Sequence, residues 1–147
     1  MTLDNLVGKG LRQESAAPEE IQRLLHKAST RLNDATSEVI SMESRFDLAY
    51  EAILQLAICA LRAHGYRPDS RGGHHVTALQ SLTKTVEYPG EKIRLLDEFR
   101  RQRAIGLYDG SFEPTKSEIS ALLETAEHLK NHLNEWLREN KPELVKA

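Results

Sequence analysis

A single cysteine, Cys59, stands among the 147 residues, so no disulfide can close within the chain. It lies in the apolar run Ala57-Ile58-Cys59-Ala60-Leu61, which reads as a buried, inert thiol suited to a reducing cytoplasm. Prolines number five and glycines eight, and most of them fall between periodic segments, which excludes a collagen-like or Pro/Gly-rich low-complexity chain. No apolar run approaches the roughly 20 residues of a membrane span. The start Met1-Thr2-Leu3-Asp4-Asn5 has no apolar leader segment, and a cytoplasmic protein with no membrane association is expected. Charge of one sign is also missing. Twenty Lys and Arg against 22 Asp and Glu leave a formal charge of −2, which excludes a surface that is basic throughout but permits a local basic patch. No stretch alternates β-branched and polar residues over a useful length, so no strand is predicted. Gly72-Gly73 follows no strand and precedes no Gly-Lys-Ser/Thr, so it is not a phosphate loop. Internal repeats are absent.

What remains is a chain 39% hydrophobic and 29% charged with strong helical periodicity. Residues 1–17 carry no stripe and read as a flexible arm, with a turn of helix around Leu3–Val7. A first helix opens at Pro18, a residue favoured where an amide would be unpaired anyway. Glu19 and Glu20 follow at the positive end of its dipole, and Ile21, Leu24, Leu25, Ala28, Leu32 and Ala35 share one face. Ser41 caps a second helix that is apolar nearly all round and stops at Gly65. A third helix runs from His74 to Val86, striped by Val76, Leu79, Leu82 and Val86, until Tyr88-Pro89-Gly90 breaks it. A fourth carries Ile93, Leu96, Phe99, Arg103 and Leu107 on one side. Thr115 with Glu118 forms a capping box for the last and clearest helix, which ends near Asn140. The expected fold is all-α, an antiparallel up-and-down bundle of four to five helices. One domain covers 18–140, and 141–147 is a tail.

The segment Phe99-Arg100-Arg101-Gln102-Arg103 packs three arginines into four positions. Arg103 stands four residues after Phe99 and four before Leu107, which turns its guanidinium toward the apolar face. A cation there is either paired or lines a cleft, because burying it bare is prohibitive. One reading is a structural ion pair, with Asp47 as partner; Arg100 and Arg101 then read as solvated. His74 and His75 open a helix, where free amides favour anions; they serve a phosphate, or else one caps the helix and the other is solvated. His128 and His132, four apart, can reach one metal together, but two solvated histidines fit better because further ligands are lacking. His26 and His64 carry no partner pattern, and Tyr50 and Trp136 fall on core stripes. No Ser/His/Asp or Cys/His set can be argued, and no metal or cofactor is called for.

The stretch Arg103-Ala104-Ile105-Gly106-Leu107-Tyr108-Asp109-Gly110 resembles the motif of the HEPN superfamily, an arginine followed four to six residues later by a histidine. Variants there carry tyrosine at the histidine position, often followed by an acidic residue and glycine. Ser44-Arg45-Phe46-Asp47-Leu48-Ala49-Tyr50-Glu51-Ala52, running on to Gly65-Tyr66, is similar to the family's opening helix. Gly73-His74-His75 with Leu79 is similar to the start of its next one. The resemblance covers about residues 40 to 135. It implies a homodimer whose two chains share a cleft, with Arg103 and Tyr108 in the catalytic positions and Arg100, Asp47, Asp109, His74 and His75 around them. Many such proteins are metal-independent ribonucleases, including toxins neutralised by a nucleotidyltransferase partner, whereas others only bind RNA or nucleotides. This chain departs from the motif at Ala104, where asparagine is common, and at Tyr108. A phenol of pKa about 10 is a poor general base at neutral pH. The resemblance therefore implies RNA or nucleotide binding without the usual nuclease chemistry. A ribonuclease in which Tyr108 or a displaced histidine acts, and a structural adaptor whose arginines are satisfied internally, are the alternatives.

Overall fold

Pro18, Ser41 and Thr115 start three of the long helices, as their chemistry predicts. The computed structural model describes residues 2–69 and 73–145. In chain order it contains a 3₁₀ turn (Leu3–Leu6), β1 (Leu11–Gln13), α1 (Pro18–Ala35), α2 (Met42–Ala63) and β2 (Tyr66–Pro68). Then follow α3 (His74–Gln80), α4 (Leu82–Thr85), α5 (Gly90–Tyr108), α6 (Lys116–Asn140) and a closing 3₁₀ turn (Pro142–Leu144). The fold is mostly helical, with one small two-stranded sheet. No helix among the described residues is long and apolar enough to cross a membrane.

The Ser41 hydroxyl accepts the Ser44 amide at 3.1 Å, and Gly65 leaves α2 at φ +84°, a conformation costly for residues with a Cβ. Both halves of the Thr115–Glu118 capping box are made, at 3.2 and 3.0 Å. Substituting Thr115 by alanine frees the Glu118 amide at the head of α6, and chemical denaturation should show a loss of about 1 kcal/mol.

Helix α2 is the centre of the core. Ala52, Ile53, Leu56, Ala57, Cys59, Ala60 and Leu61 are all fully buried because α1 covers one side and α6 another. Each fully buried leucine or isoleucine contributes roughly 1.5–3 kcal/mol. Contacts between α1 and α2 run in opposite senses: Arg45 Nε donates to the Ala35 carbonyl, Arg31 pairs with Glu51, and Arg62 pairs with Glu20. Burial pushes the Cys59 thiol up to about 12, so it stays protonated and inert, as its apolar run implies.

Three expectations need correction. First, strands exist: β1 and β2 pair antiparallel, with Leu11 opposite Pro68 and Gln13 opposite Tyr66. Three residues per strand are too few for alternation to register in a sequence. Second, the N-terminal segment is packed rather than loose, for Leu3 and Leu11 are buried in the core. It is held by Arg62, which is only 1% exposed. Arg62 Nε and Nη2 grip the Glu20 carboxylate at 2.6 and 3.1 Å, Nη2 donates to the Ser15 carbonyl at 3.0 Å, and Nη1 donates to the carbonyls of Glu14 and Tyr66. Arg67 extends the network to Glu14 and Glu20. Third, the helix expected over His74–Val86 divides at Ser81, whose buried hydroxyl turns back to the Ala78 carbonyl at 2.8 Å. This side-chain bond competes with the helix ladder.

The turn after α4 also corrects the histidine readings. His64 Nε2 donates to the Thr85 carbonyl at 2.8 Å and His132 Nε2 to the Val86 carbonyl at 2.7 Å. Tyr88 and His128 are hydrogen-bonded at 2.9 Å. His128 and His132 are therefore clamps on the 85–88 turn, not merely solvated side chains, and His64 has a definite partner. The Trp136 ring lies 5.0 Å from the His64 ring.

Candidate functional site

Phe46 on α2 fixes where the second half of α5 lies. Its ring meets Phe99 of α5 at 6.1 Å and Phe112 of the α5–α6 loop at 5.2 Å, both edge to face, an arrangement aromatic quadrupoles favour. One turn further along α2 stands Tyr50, and one turn further along α5 stands Arg103. The Arg103 guanidinium consequently comes to rest 5.4 Å from the centroid of the buried Tyr50 ring, within cation–π range.

Asp47 forms the expected ion pair with Arg103, but without a hydrogen bond to its Nε. Asp47 Oδ1 is 3.7 Å from Arg103 Nε, beyond hydrogen-bonding distance, and that buried nitrogen has no hydrogen-bond partner among the described residues. The Asp47 side chain is 60% exposed while that of Arg103 is 24% exposed. Burial raises the Asp47 carboxyl above its usual value, with the Arg103 charge opposing and Glu51 adding to the rise.

Helix α3 brings in the histidines. His75 Nδ1 is hydrogen-bonded to the Tyr50 hydroxyl at 3.1 Å, and the His74 and His75 rings meet edge to face at 4.5 Å. Tyr50, His74, His75, Arg100, Arg103 and Tyr108 then line one cavity of about 300 Å³. Arg103 also borders a neighbouring cavity of about 230 Å³, with Asp47, Phe46, Leu107 and Phe112. Arg100 Nε holds Asp97 at 2.9 Å. Tyr108, 84% exposed, stands at the mouth. Burial pushes the Tyr50 hydroxyl up to about 12, so it remains a proton donor. Asp109 sits apart from the other candidates: its carboxylate accepts the Ser111 amide at 2.8 Å and the Ser111 hydroxyl at 2.5 Å, shaping the turn after α5. These bonds hold its carboxyl below the ordinary range.

The seven residues singled out in the sequence thus divide three ways. Arg100, Arg103, Tyr108, His74 and His75 share one cavity, Asp47 lines its neighbour, and Asp109 lines neither. The residue missed is Tyr50, which packs in the core and also joins Arg103 to His75. The available signal was its position three residues after Asp47, on the same face of α2. Gly72 lies outside the described residues. Among the described residues no group of three or more His, Cys, Asp or Glu side chains can hold a metal ion.

Burial depresses the His75 imidazole below 6.5, with the charges of His74, Arg103 and Arg100 adding to the effect. An anion in the cavity offsets those charges and favours the protonated ring. Affinity for a phosphodiester, whose charge is constant over this range, should therefore rise as pH falls below 6.5, and the rise should vanish in His75→Ala. Titrations between pH 7.5 and 5.5 check this. Stability runs the other way. A histidine depressed by folding binds fewer protons folded than unfolded, so its contribution is full above 6.5 and is lost as pH falls toward the lowered value. Half-buried His64, also depressed by burial, adds in the same direction.

No family model matches the chain, and no curated protein or solved structure matches it.

Proposed function

We propose that this chain is an RNA- or nucleotide-binding helical bundle of the HEPN kind, in which Arg103 and Arg100 hold a phosphate. His74 and His75 flank that phosphate, and Tyr108 offers a ring at the mouth on which a base stacks. The observation that carries the reading is the Arg103 guanidinium itself: a mostly buried fork that lines a cavity, with a buried Nε that no acceptor among the described residues takes. Arginine's planar donors match phosphate oxygens in pairs. The cavity is of a size suited to one nucleotide. The adaptor reading needs Arg103 satisfied internally, and a 3.7 Å approach to an exposed carboxylate is poor satisfaction. The same reading includes an up-and-down arrangement of α1, α2, α5 and α6, assembly as a homodimer across this face, and a cytoplasmic toxin–antitoxin setting with a nucleotidyltransferase-type partner.

A second reading, metal-independent RNA cleavage, draws support from His75. Tyr50 orients this ring beside two guanidinium groups, so a displaced histidine stands where the motif's own position holds Tyr108. Incubating the purified protein with total RNA, beside Arg103→Ala, separates the two. Retention of RNA without shortening supports binding alone. Cleavage lost in Arg103→Ala and in His75→Ala supports the enzyme. Cleavage that survives both substitutions removes this cavity from the chemistry.

A further inference from the structure

The cavity over Arg103 does not end at His74. The same residue, with Gly73, also lines a second cavity of about 310 Å³, walled by Gly8, Lys9, Gly10, Asp69 and Thr77. The N-terminal segment is therefore part of the surface a ligand meets. Its geometry is held firmly. The Gly8 amide donates to the Leu11 carbonyl at 2.8 Å, and the Asp69 amide donates to the Gly10 carbonyl at 2.7 Å. Gly10 sits at φ +116°, where a Cβ would come within 3.1 Å of Thr77 Oγ1, so a larger residue would push the turn off α3. The exposed Lys9 forms no ion pair with the described residues and stands beside this second cavity.

We infer that the ligand is a strand of at least two nucleotides, with a second phosphate subsite at Lys9 that His74 joins to the first. This rests on the phosphate-binding reading of Arg103. Each cavity has room for about one nucleotide, and each supplies its own cation. The Thr77 hydroxyl donates to the Gly73 carbonyl at 3.2 Å, so it does not compete as a phosphate donor.

Adenosine 5′-monophosphate and the 5′-phosphorylated diadenylate distinguish one subsite from two when titrated into the full chain, Lys9→Ala and Arg103→Ala. The diadenylate should bind the native chain about tenfold more tightly than the mononucleotide, the worth of one charge-assisted contact. Lys9→Ala should erase that advantage, leave mononucleotide affinity within about twofold, and make the salt dependence for the diadenylate shallower by about 0.7 in the log–log slope. Equal affinities for the two probes, or a diadenylate affinity that ignores Lys9→Ala, overturns the second subsite while leaving the first standing. If neither probe binds, or mononucleotide binding is untouched by Arg103→Ala, the underlying reading falls and the second subsite falls with it. Lys9 is exposed, so its substitution leaves the fold intact and each result speaks to the site.

Discussion

Replacing Arg62 by methionine should lower the unfolding free energy by about 3–5 kcal/mol, the usual consequence of removing one partner from a buried charge network. Methionine fills much of the space but offers no donor. The Glu20 carboxylate, whose side chain is only 23% exposed, loses its grip, and the carbonyls of Glu14, Ser15 and Tyr66 lose their acceptance from the guanidinium. Those carbonyls belong to the N-terminal segment and to the start of β2, so the pairing of β1 with β2 should loosen with them. Lysine should not rescue, because one ammonium cannot address a carboxylate and three carbonyls from a fixed fork. Urea unfolding followed by circular dichroism measures the loss, and a decrease under about 1 kcal/mol would show that the network is dispensable. Acid should weaken the same network. The Arg62 hydrogen bond is the largest cause of a Glu20 carboxyl held below 4.5. A depressed carboxylate contributes stability above its unfolded value, and that contribution is lost as pH falls through the lowered one.

Arg103→Ala should behave in the opposite way. Its stability cost should stay under about 1 kcal/mol, since the carboxylate it leaves behind is well solvated and such pairs are worth little. Its effect on an RNA oligonucleotide should be a loss of about 2 kcal/mol, or roughly 30-fold in affinity, as expected for a charge-assisted bidentate contact. Arg103→Lys should fall between, keeping the charge but losing the fork. A structural ion pair would reverse the pattern, with stability lost and affinity unchanged. Together, the two arginines give a contrast inside one protein. Arg62 is enclosed by acceptors of its own chain, whereas Arg103 lines two cavities and its buried Nε has no acceptor among the described residues.

The helices were legible because their signals are local. Pro18, Ser41, Gly65 and the Thr115–Glu118 pair each act within a turn or so of helix, and the stripes of α1 and α6 need only their own periodicity. Arg103 was legible for the same reason, its spacing from Phe99 and Leu107 placing it on the inner face. What escaped depends on residues far apart in the chain. Arg62 reads as one more cation at the end of α2 until Glu14, Ser15 and Glu20 come round to it. The two strands are three residues each and exist through their pairing across more than fifty positions. The histidine clamps on residues 85–88 join α2 and α6 to a turn whose carbonyls no sequence pattern advertises. Tyr50 was placed correctly in the core, but its bond to His75 follows from how α3 docks, which spacing within α2 does not reveal.

Anisotropy of a fluorescent single-stranded oligoribonucleotide, titrated with the native chain, Arg103→Ala and Arg101→Ala at one salt concentration, puts the cavity to the test. Arg101 is the control: it lies two residues away, its side chain is 63% exposed, and it pairs with Asp97 on its own helix. The account predicts a roughly 30-fold loss for Arg103→Ala and a change within about threefold for Arg101→Ala. Equal losses from the two would mean diffuse surface charge, and no loss from Arg103→Ala would mean that this guanidinium holds no ligand.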